Sequence, residues 1–372
     1  MKIAYISPFK DCSGYAEAAR NYLSALHKVG ANVVARHIKF DNLNHKLTEL
    51  QNKLMNSSLK DVDVVLQHTT PNTSMIKKGV TNILYMAWET TMLPKSWPQI
   101  INKFDAVMVP CEENVKALKA SGVTIPVFKV PHAFDLDKYN KEGPPLINMD
   151  NIKGNFIFYN ICQLSKKKGI DRLLIAYLTE FKAEEPVALF LKTYINANFG
   201  QDDTKKAAEY VIKIKEALKL DSYPKIFLNV QILSDEQIID MHKAFDCMVA
   251  PSRAEGFCIP AFEAIASGTP TIVTNWGGFK EYSEGCLGVD YKLEPVIGMN
   301  HRDREMYIGR ELWAVVDIMD LREAMREVYQ SSDLREELSK KAKATSLDFS
   351  HEKIGKMMLD IIEKVHNEKQ AN

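Results

Sequence analysis

No excess charge of either sign marks this chain: 48 basic residues are matched by 48 acidic ones over 372 positions. That balance removes the electrostatic case for nonspecific binding to DNA or to an anionic membrane, although a neutral total leaves room for a local basic patch. Cysteine is sparse. Cys12, Cys111, Cys162, Cys247, Cys258 and Cys286 show no C-x-x-C spacing and several fall in apolar runs, so buried free thiols are expected. The nine histidines form no H-E-x-x-H and no cluster, which argues against a structural metal. No apolar run approaches the length of a membrane span, and MKIAYISPFKD lacks the apolar core of a signal peptide. A cytoplasmic protein without a membrane span is the expectation. Glycine is thin where a dinucleotide fold would need it: after the first strand only Gly14 stands in Cys12-Ser13-Gly14-Tyr15, and no acidic residue ends the second strand near Arg36 and His37. A dinucleotide cofactor is therefore disfavoured.

What the chain does have is length and alternation. At 372 residues it exceeds the usual size of one core, so two domains of similar size are expected. Short β-branched runs (KIAYISP, NVVARHI, DVDVVLQHT, NILYMAW, AVMVP, VFKVP) alternate with helical stretches through the first 130 or so residues. In the first of these helices Ala16, Ala19, Tyr22, Leu23 and Leu26 share a face, and Gly30 closes it. A polar, proline-containing segment follows, and the alternation then restarts with FIFYNICQL, VALFLKTY, KIFLNVQI, CMVAPS and TPTIVTN. This is a doubly wound α/β pattern stated twice. The division expected is a first Rossmann-like domain over 1–133, a linker over 134–154, a second Rossmann-like domain over 155–350 and a terminal helix over 351–372.

Residues 251–275, PSRAEGFCIPAFEAIASGTPTIVTN, carry the densest information. Pro260 stands near a helix start, Gly268 just past its end and Pro270 beyond, so a strand, a turn, a helix and a strand form one parallel crossover. The turn lies at the carboxyl edge of the sheet, where such folds bind ligands, and amides near Gly256 and Phe257 would suit a phosphate. Glu255 precedes the helix and Glu263 lies in its first turn. Carboxylates beside an anion site repel phosphate, so sugar hydroxyls are their expected partners; the plain alternative is a capped core helix with two incidental acids.

The setting PSRAEGF..P.FEA.A.GTP, with TNWGGFKE downstream, resembles the signature of retaining GT-B glycosyltransferases, in particular glycosyltransferase family 4. The resemblance implies a GT-B fold: two Rossmann-like domains facing across a cleft, with the C-terminal helix crossing back to the first domain. It implies transfer of a sugar from a nucleotide diphosphate sugar to an acceptor hydroxyl, with no metal and no cofactor beyond that donor. By position, Glu255 faces the donor sugar and Glu263 holds the ribose. Lys168 matches the lysine of the family's R-L-x-x-x-K-G pattern and meets the diphosphate, whereas Gln163 stands where that pattern has arginine, an amide supplying no charge. Amides of Gly256, Phe257 and Cys258 would stabilise the leaving phosphate, Cys258 replacing a glycine common in relatives. Gly14 keeps one position of the glycine-rich loop, and Leu233 lies at the level of the base. Whether Gly277 and Gly278 serve the donor or a tight turn stays open.

In the first domain YMAWETTMLPKSW is similar to a W-E-T variant found in some relatives: Trp88 could stack on a sugar and Glu89 could orient the acceptor hydroxyl or assist its deprotonation. A buried structural tryptophan is the rival for Trp88, and a structural role is expected first for His132. Asp61-Val62-Asp63 and Asp135-Leu136-Asp137 have D-x-D spacing but introduce a strand and a linker, so neither is expected to bind metal. Covalent participation of Glu255 and front-face attack are both compatible with the residues; the resemblance implies the latter. Alternatives are a glycosyltransferase acting on a modified DNA base, disfavoured by the neutral charge, an inactive donor-binding partner subunit, and a nucleotide-sugar epimerase.

Overall fold

A computed structural model describes residues 1–40, 45–141, 152–195, 201–299 and 306–371, with the backbone alone at 201 and 202. Of the expected linker, 134–154, the stretch 142–151 lies outside the described residues. The chain divides into two compact units, one of residues 1–136, 300–312 and 348–372 and another of 137–299 and 313–347.

The first unit runs β1 (Lys2–Ser7), α1 (Gly14–Lys28), β2 (Asn32–His37), α2 (Glu49–Met55), β3 (Val64–His68), β4 (Thr81–Tyr85), α3 (Trp97–Ile101), β5 (Ala106–Val109), α4 (Glu112–Ala120) and β6 (Val127–Lys129). Its strands form a six-stranded parallel sheet in the order β2-β1-β3-β4-β5-β6. Continuous apolar runs such as ILY and AVMV form strands buried on both faces, as a parallel sheet between helices requires. Ser13 caps α1 by accepting the Ala16 N–H at 3.3 Å, and Thr48 with Gln51 forms a capping box on α2.

The second unit runs α5 (Asp137–Asn140), β7 (Phe156–Gln163), α6 (Ile170–Glu180), β8 (Val187–Tyr194), α7 (Gln201–Leu218), β9 (Lys225–Asn229), α8 (Asp235–Ala244), β10 (Cys247–Ala250), α9 (Ile259–Ala266), β11 (Thr271–Thr274), β12 (Leu287–Val289), β13 (Tyr291–Pro295), β14 (Leu312–Val316), α10 (Ile318–Gln330) and α11 (Ser332–Ser346), Leu312 falling to the first unit. Its parallel sheet is ordered β9-β8-β7-β10-β11-β12. The order reverses between β7 and β10, so the crevice beyond the carboxyl ends of those two strands is where this topology binds ligands. In the first unit the reversal lies between β1 and β3.

The chain ends in α12 (His351–Ala371), which packs on α1 of the first unit. His351 Nε2 meets Asn21 Oδ1 at 3.0 Å, Lys28 pairs with Glu352, and Lys369 reaches Asp105 at 2.7 Å. Burial of Ile354, Met358, Ile362 and Val365 at three- and four-residue spacing drives this docking more than the exposed pairs do. Among the described residues no helix is long and apolar enough to cross a membrane. All six cysteines are unbridged, but Cys12 is exposed and Cys162 and Cys258 are half-buried, so burial is only partial as a rule for them.

Candidate active site

The topological reversal of the second unit carries two turns, one after β7 and one after β10, and they are fastened together. The first, Ser165–Gly169, ends on Gly169 in the left-handed region (φ 65°), and a Cβ there would lie 2.0 Å from the carbonyl oxygen of Pro251. Only glycine lets the two turns approach so closely. The Arg253 N–H donates to the Lys167 carbonyl at 2.7 Å, and its buried guanidinium forks onto both oxygens of Asp171 at 2.8 and 2.5 Å. A bidentate pair fixes orientation as well as distance. Although burial works against ionising Asp171, its hydrogen bonds and charge contact with Arg253 win and hold the carboxyl below its usual range.

This clamp sets Lys168 opposite Glu255: Nζ to Oε1 is 2.7 Å, and Glu255 is 5% exposed. From the other side, the Gly278 N–H donates to the Glu255 carbonyl at 2.9 Å, while a Cβ on Gly278 would lie 2.4 Å from Gly256 O and Phe257 Cα. The glycine pair therefore has a packing role, holding the Glu255 turn. Phe257 buries its ring against Phe262 and Tyr282, whose hydroxyl donates to Phe257 O at 2.7 Å, so Phe257 can offer a ligand its main chain alone. Cys258 precedes α9 with φ 68°, a backbone that glycine adopts without strain, and no side chain caps this helix start. The partial positive charge of the α9 N-terminus thus lies next to Glu255 and Lys168.

Glu263 is the fifth residue of α9, past the first turn in which the sequence pattern put it. Tyr139 OH donates to its Oε1 at 3.2 Å, and His242 Nε2 lies 3.8 Å from Oε2. Burial pushes His242 down to about 3, so it is neutral and the contact is no ion pair; Tyr159 OH holds its Nδ1 at 2.7 Å. Burial likewise pushes the Glu263 carboxyl up, to about 7, against smaller opposing effects from Lys138 and Tyr139. A carboxyl raised in the folded state stabilises fully below its unfolded value of 4.5, and that contribution is lost as pH climbs through about 7. Ligand-free stability should fall by roughly 2–3 kcal/mol from this group between about pH 5 and pH 8, and Glu263→Gln should flatten that part of a urea-unfolding pH profile.

Gln163 is exposed and spends its amide on the Ile195 carbonyl at 3.1 Å. Leu233 is half-buried, directly before Ser234, which caps α8 in a box with Gln237. In the first unit Gly14 opens α1, and the next residue, Tyr15, accepts the Ala87 N–H at 2.9 Å. Glu89 is half-buried and within electrostatic reach of the Tyr15 hydroxyl, which burial chiefly raises, so the Gly14 turn and Glu89 share the carboxyl edge of that sheet.

Trp88 lies in the core of the first unit. It is 3% exposed, its Nε1–H donates to Met92 O at 2.7 Å, Trp97 meets it edge-on at 4.9 Å, and Tyr307 stacks on it at 5.7 Å. With its ring so enclosed, it takes the structural role that the sequence allowed beside sugar stacking. His132 is buried among Tyr22 and Tyr85, and burial pushes it down to about 3, the behaviour of a neutral structural histidine. Arg253 and Asp171 were missed by reading the sequence. Their one signal was opposite charge on two turns at the same sheet edge.

Two units, each with a six-stranded parallel sheet, are the architecture of the GT-B fold. Residues 148–284 match the family described as glycosyl transferases group 1, and residues 231–346 match family 4 glycosyltransferases in conflict systems. The fold is that of trehalose-6-phosphate synthase OtsA, with TM-score 0.69 at 11% identity over 98% of this chain and 99% of that one. Anabaena HepE in complex with UDP and glucose gives TM-score 0.68 at 14% identity over 98% of this chain and 100% of that one. Mannosylfructose-phosphate synthase of Agrobacterium fabrum (strain C58) is 33% identical over 125 residues, 33% of this chain and 26% of that protein. This chain thus matches about a quarter of that relative's length. Its fold is of GT-B type.

Proposed function

We propose that the protein is a retaining glycosyltransferase that moves a sugar from a nucleoside diphosphate sugar to an acceptor hydroxyl. The observation that carries this reading is the Lys168–Glu255 pair, 2.7 Å apart at the point where the second sheet's strand order reverses. One cation and one carboxylate at a helix N-terminus match a ligand that is anionic at one end and hydroxylated at the other. On donor entry Lys168 turns to the diphosphate and Glu255 to the sugar. Charge accumulating on the leaving phosphate then meets the ammonium and the α9 dipole, which lowers the barrier because both are in place beforehand. Glu263 takes the ribose hydroxyls, and Glu89 serves the acceptor. Front-face attack, with an oxygen of the departing phosphate taking the acceptor proton, accounts for retention without a second nucleophile.

HepE has been seen with UDP and glucose, so UDP-glucose is the first donor to try. Thermal shift against UDP-, GDP-, ADP- and TDP-sugars, followed by donor turnover with simple acceptors, tests the reading. One of these nucleotides should raise the midpoint by several degrees. A flat response to all of them would overturn the proposal. A donor that binds but is neither hydrolysed nor transferred with any acceptor would mark a non-catalytic donor-binding subunit instead.

A further inference from the structure

The last turn of α8 leaves a buried nitrogen unpaired. His242 is wholly enclosed there, and among the described residues its Nε2 meets no hydrogen-bond partner. Buried polar groups are as a rule hydrogen-bonded, and an orphaned one costs stability that an apolar side chain of similar size would not lose. What Nε2 faces is Oε2 of Glu263 on α9, 3.8 Å away and beyond hydrogen-bond reach.

The ring is fixed in that direction. Its Nδ1 lies 2.7 Å from the hydroxyl of Tyr159, a fully buried side chain of β7, and the Thr269 hydroxyl donates to the His242 carbonyl. We assign the Tyr159 hydroxyl as the donor to Nδ1. Burial keeps the imidazole neutral, so its single proton then sits on Nε2 and points at Glu263. The carboxyl is the partner free to move: it hangs on a flexible stem, is 13% exposed, and its Oε1 is held by Tyr139 OH at a long 3.2 Å. A displacement of roughly 1 Å brings Oε2 onto the waiting N–H.

We propose that His242 is a positioning residue for the nucleoside: its Nε2–H captures Oε2 of Glu263 as the ribose seats and locks the carboxylate toward the sugar. The inference rests on the nucleotide-sugar reading above, in which Glu263 takes the ribose hydroxyls. A carboxylate offers about four acceptor positions. Tyr139 and His242 fill two from the protein side, and the 2′- and 3′-hydroxyls take the others. The orphaned N–H is thus paired in the bound form, and its pairing adds to the preference for a hydroxylated sugar.

Calorimetry with the nucleoside diphosphate that binds and with its 2′,3′-dideoxy form tests this. The native protein should prefer the hydroxylated form by about tenfold or more, the usual effect of losing buried hydrogen bonds. His242→Phe should weaken that form by about tenfold and leave the dideoxy form within about twofold. His242→Gln, which keeps an N–H near the Nε2 position, should restore most of the preference. A loss shared equally by both forms, or no loss in either, overturns the proposal. NMR of the native protein with isotope-labelled histidine gives a readout that no substitution can spoil by unfolding. A buried imidazole proton on Nε2 should shift downfield when the nucleotide is added; a proton on Nδ1 instead, or a signal that ignores the nucleotide, overturns the proposal as well. A native protein that binds none of UDP, GDP, ADP and TDP overturns the nucleotide-sugar reading and this inference with it. One that binds a nucleotide but holds its dideoxy form equally well removes Glu263, and His242 behind it, from the ribose while leaving the reading itself in place.

Discussion

Glu255→Gln should lower glycosyl transfer by about 10³-fold, while nucleoside diphosphate binding stays unchanged or tightens. The amide keeps the volume of the side chain in a turn that is almost wholly buried, and its oxygen can still accept from Lys168 at the present 2.7 Å. On the proposed reading, what disappears is the negative charge facing the sugar, where positive charge develops as the glycosidic bond to phosphate breaks. Preorganised charge in a dry site is the largest single contribution open to this enzyme, and losing one such group typically costs about 10²–10³-fold. Binding behaves differently. A nucleoside diphosphate ends at the phosphates, and the carboxylate beside Lys168 competes with them for the ammonium. Removing that competitor should leave affinity unchanged or raise it by up to about tenfold, given the charge interactions expected at such distances. Single-turnover donor consumption and calorimetry on the same variant separate the two effects. Native-like turnover would dismiss Glu255 as a sugar-facing group.

Much of this site could be read before any fold was known, because its signals are local. Pro260, Gly268 and Pro270 bound α9 through backbone chemistry alone, and the alternation of apolar runs gave both sheets. The acids eight apart were visible for the same reason. What stayed hidden depends on partners distant in sequence. Trp88 reads equally as a sugar platform or a core residue until Trp97 and Tyr307 are laid against it. Arg253 looks like any turn arginine until its fork meets Asp171, 82 residues earlier. The placement of Glu263 differs by part of a turn because the helix starts at Ile259, one residue ahead of Pro260, behind a left-handed Cys258, and no spacing rule announces a positive φ at cysteine. Pattern finds the elements; convergence of charge across two turns is a property of the packed sheet.

Gly169→Ala should be the most damaging small substitution in the second unit. Its backbone sits at φ 65°, where a Cβ costs about 1 kcal/mol in itself. The added carbon would also stand 2.0 Å from Pro251 O, well inside contact distance, and the obstacle is main chain that cannot rotate away. The turn must then lift from the end of β10. That breaks the 2.7 Å bond from Arg253 N–H to Lys167 O and carries Lys168 out of register with Glu255. We expect a stability loss of roughly 2–4 kcal/mol in chemical unfolding, a fall in turnover beyond about 10²-fold and weaker diphosphate binding. Gly30→Ala isolates the conformational part. That glycine has φ 84° but nothing within 4 Å of its missing Cβ. It should lose about 1 kcal/mol and keep native turnover. If the two variants behaved alike, the turn carrying Lys168 would not be pinned against β10, and the charge pair would owe its geometry to something other than this clamp.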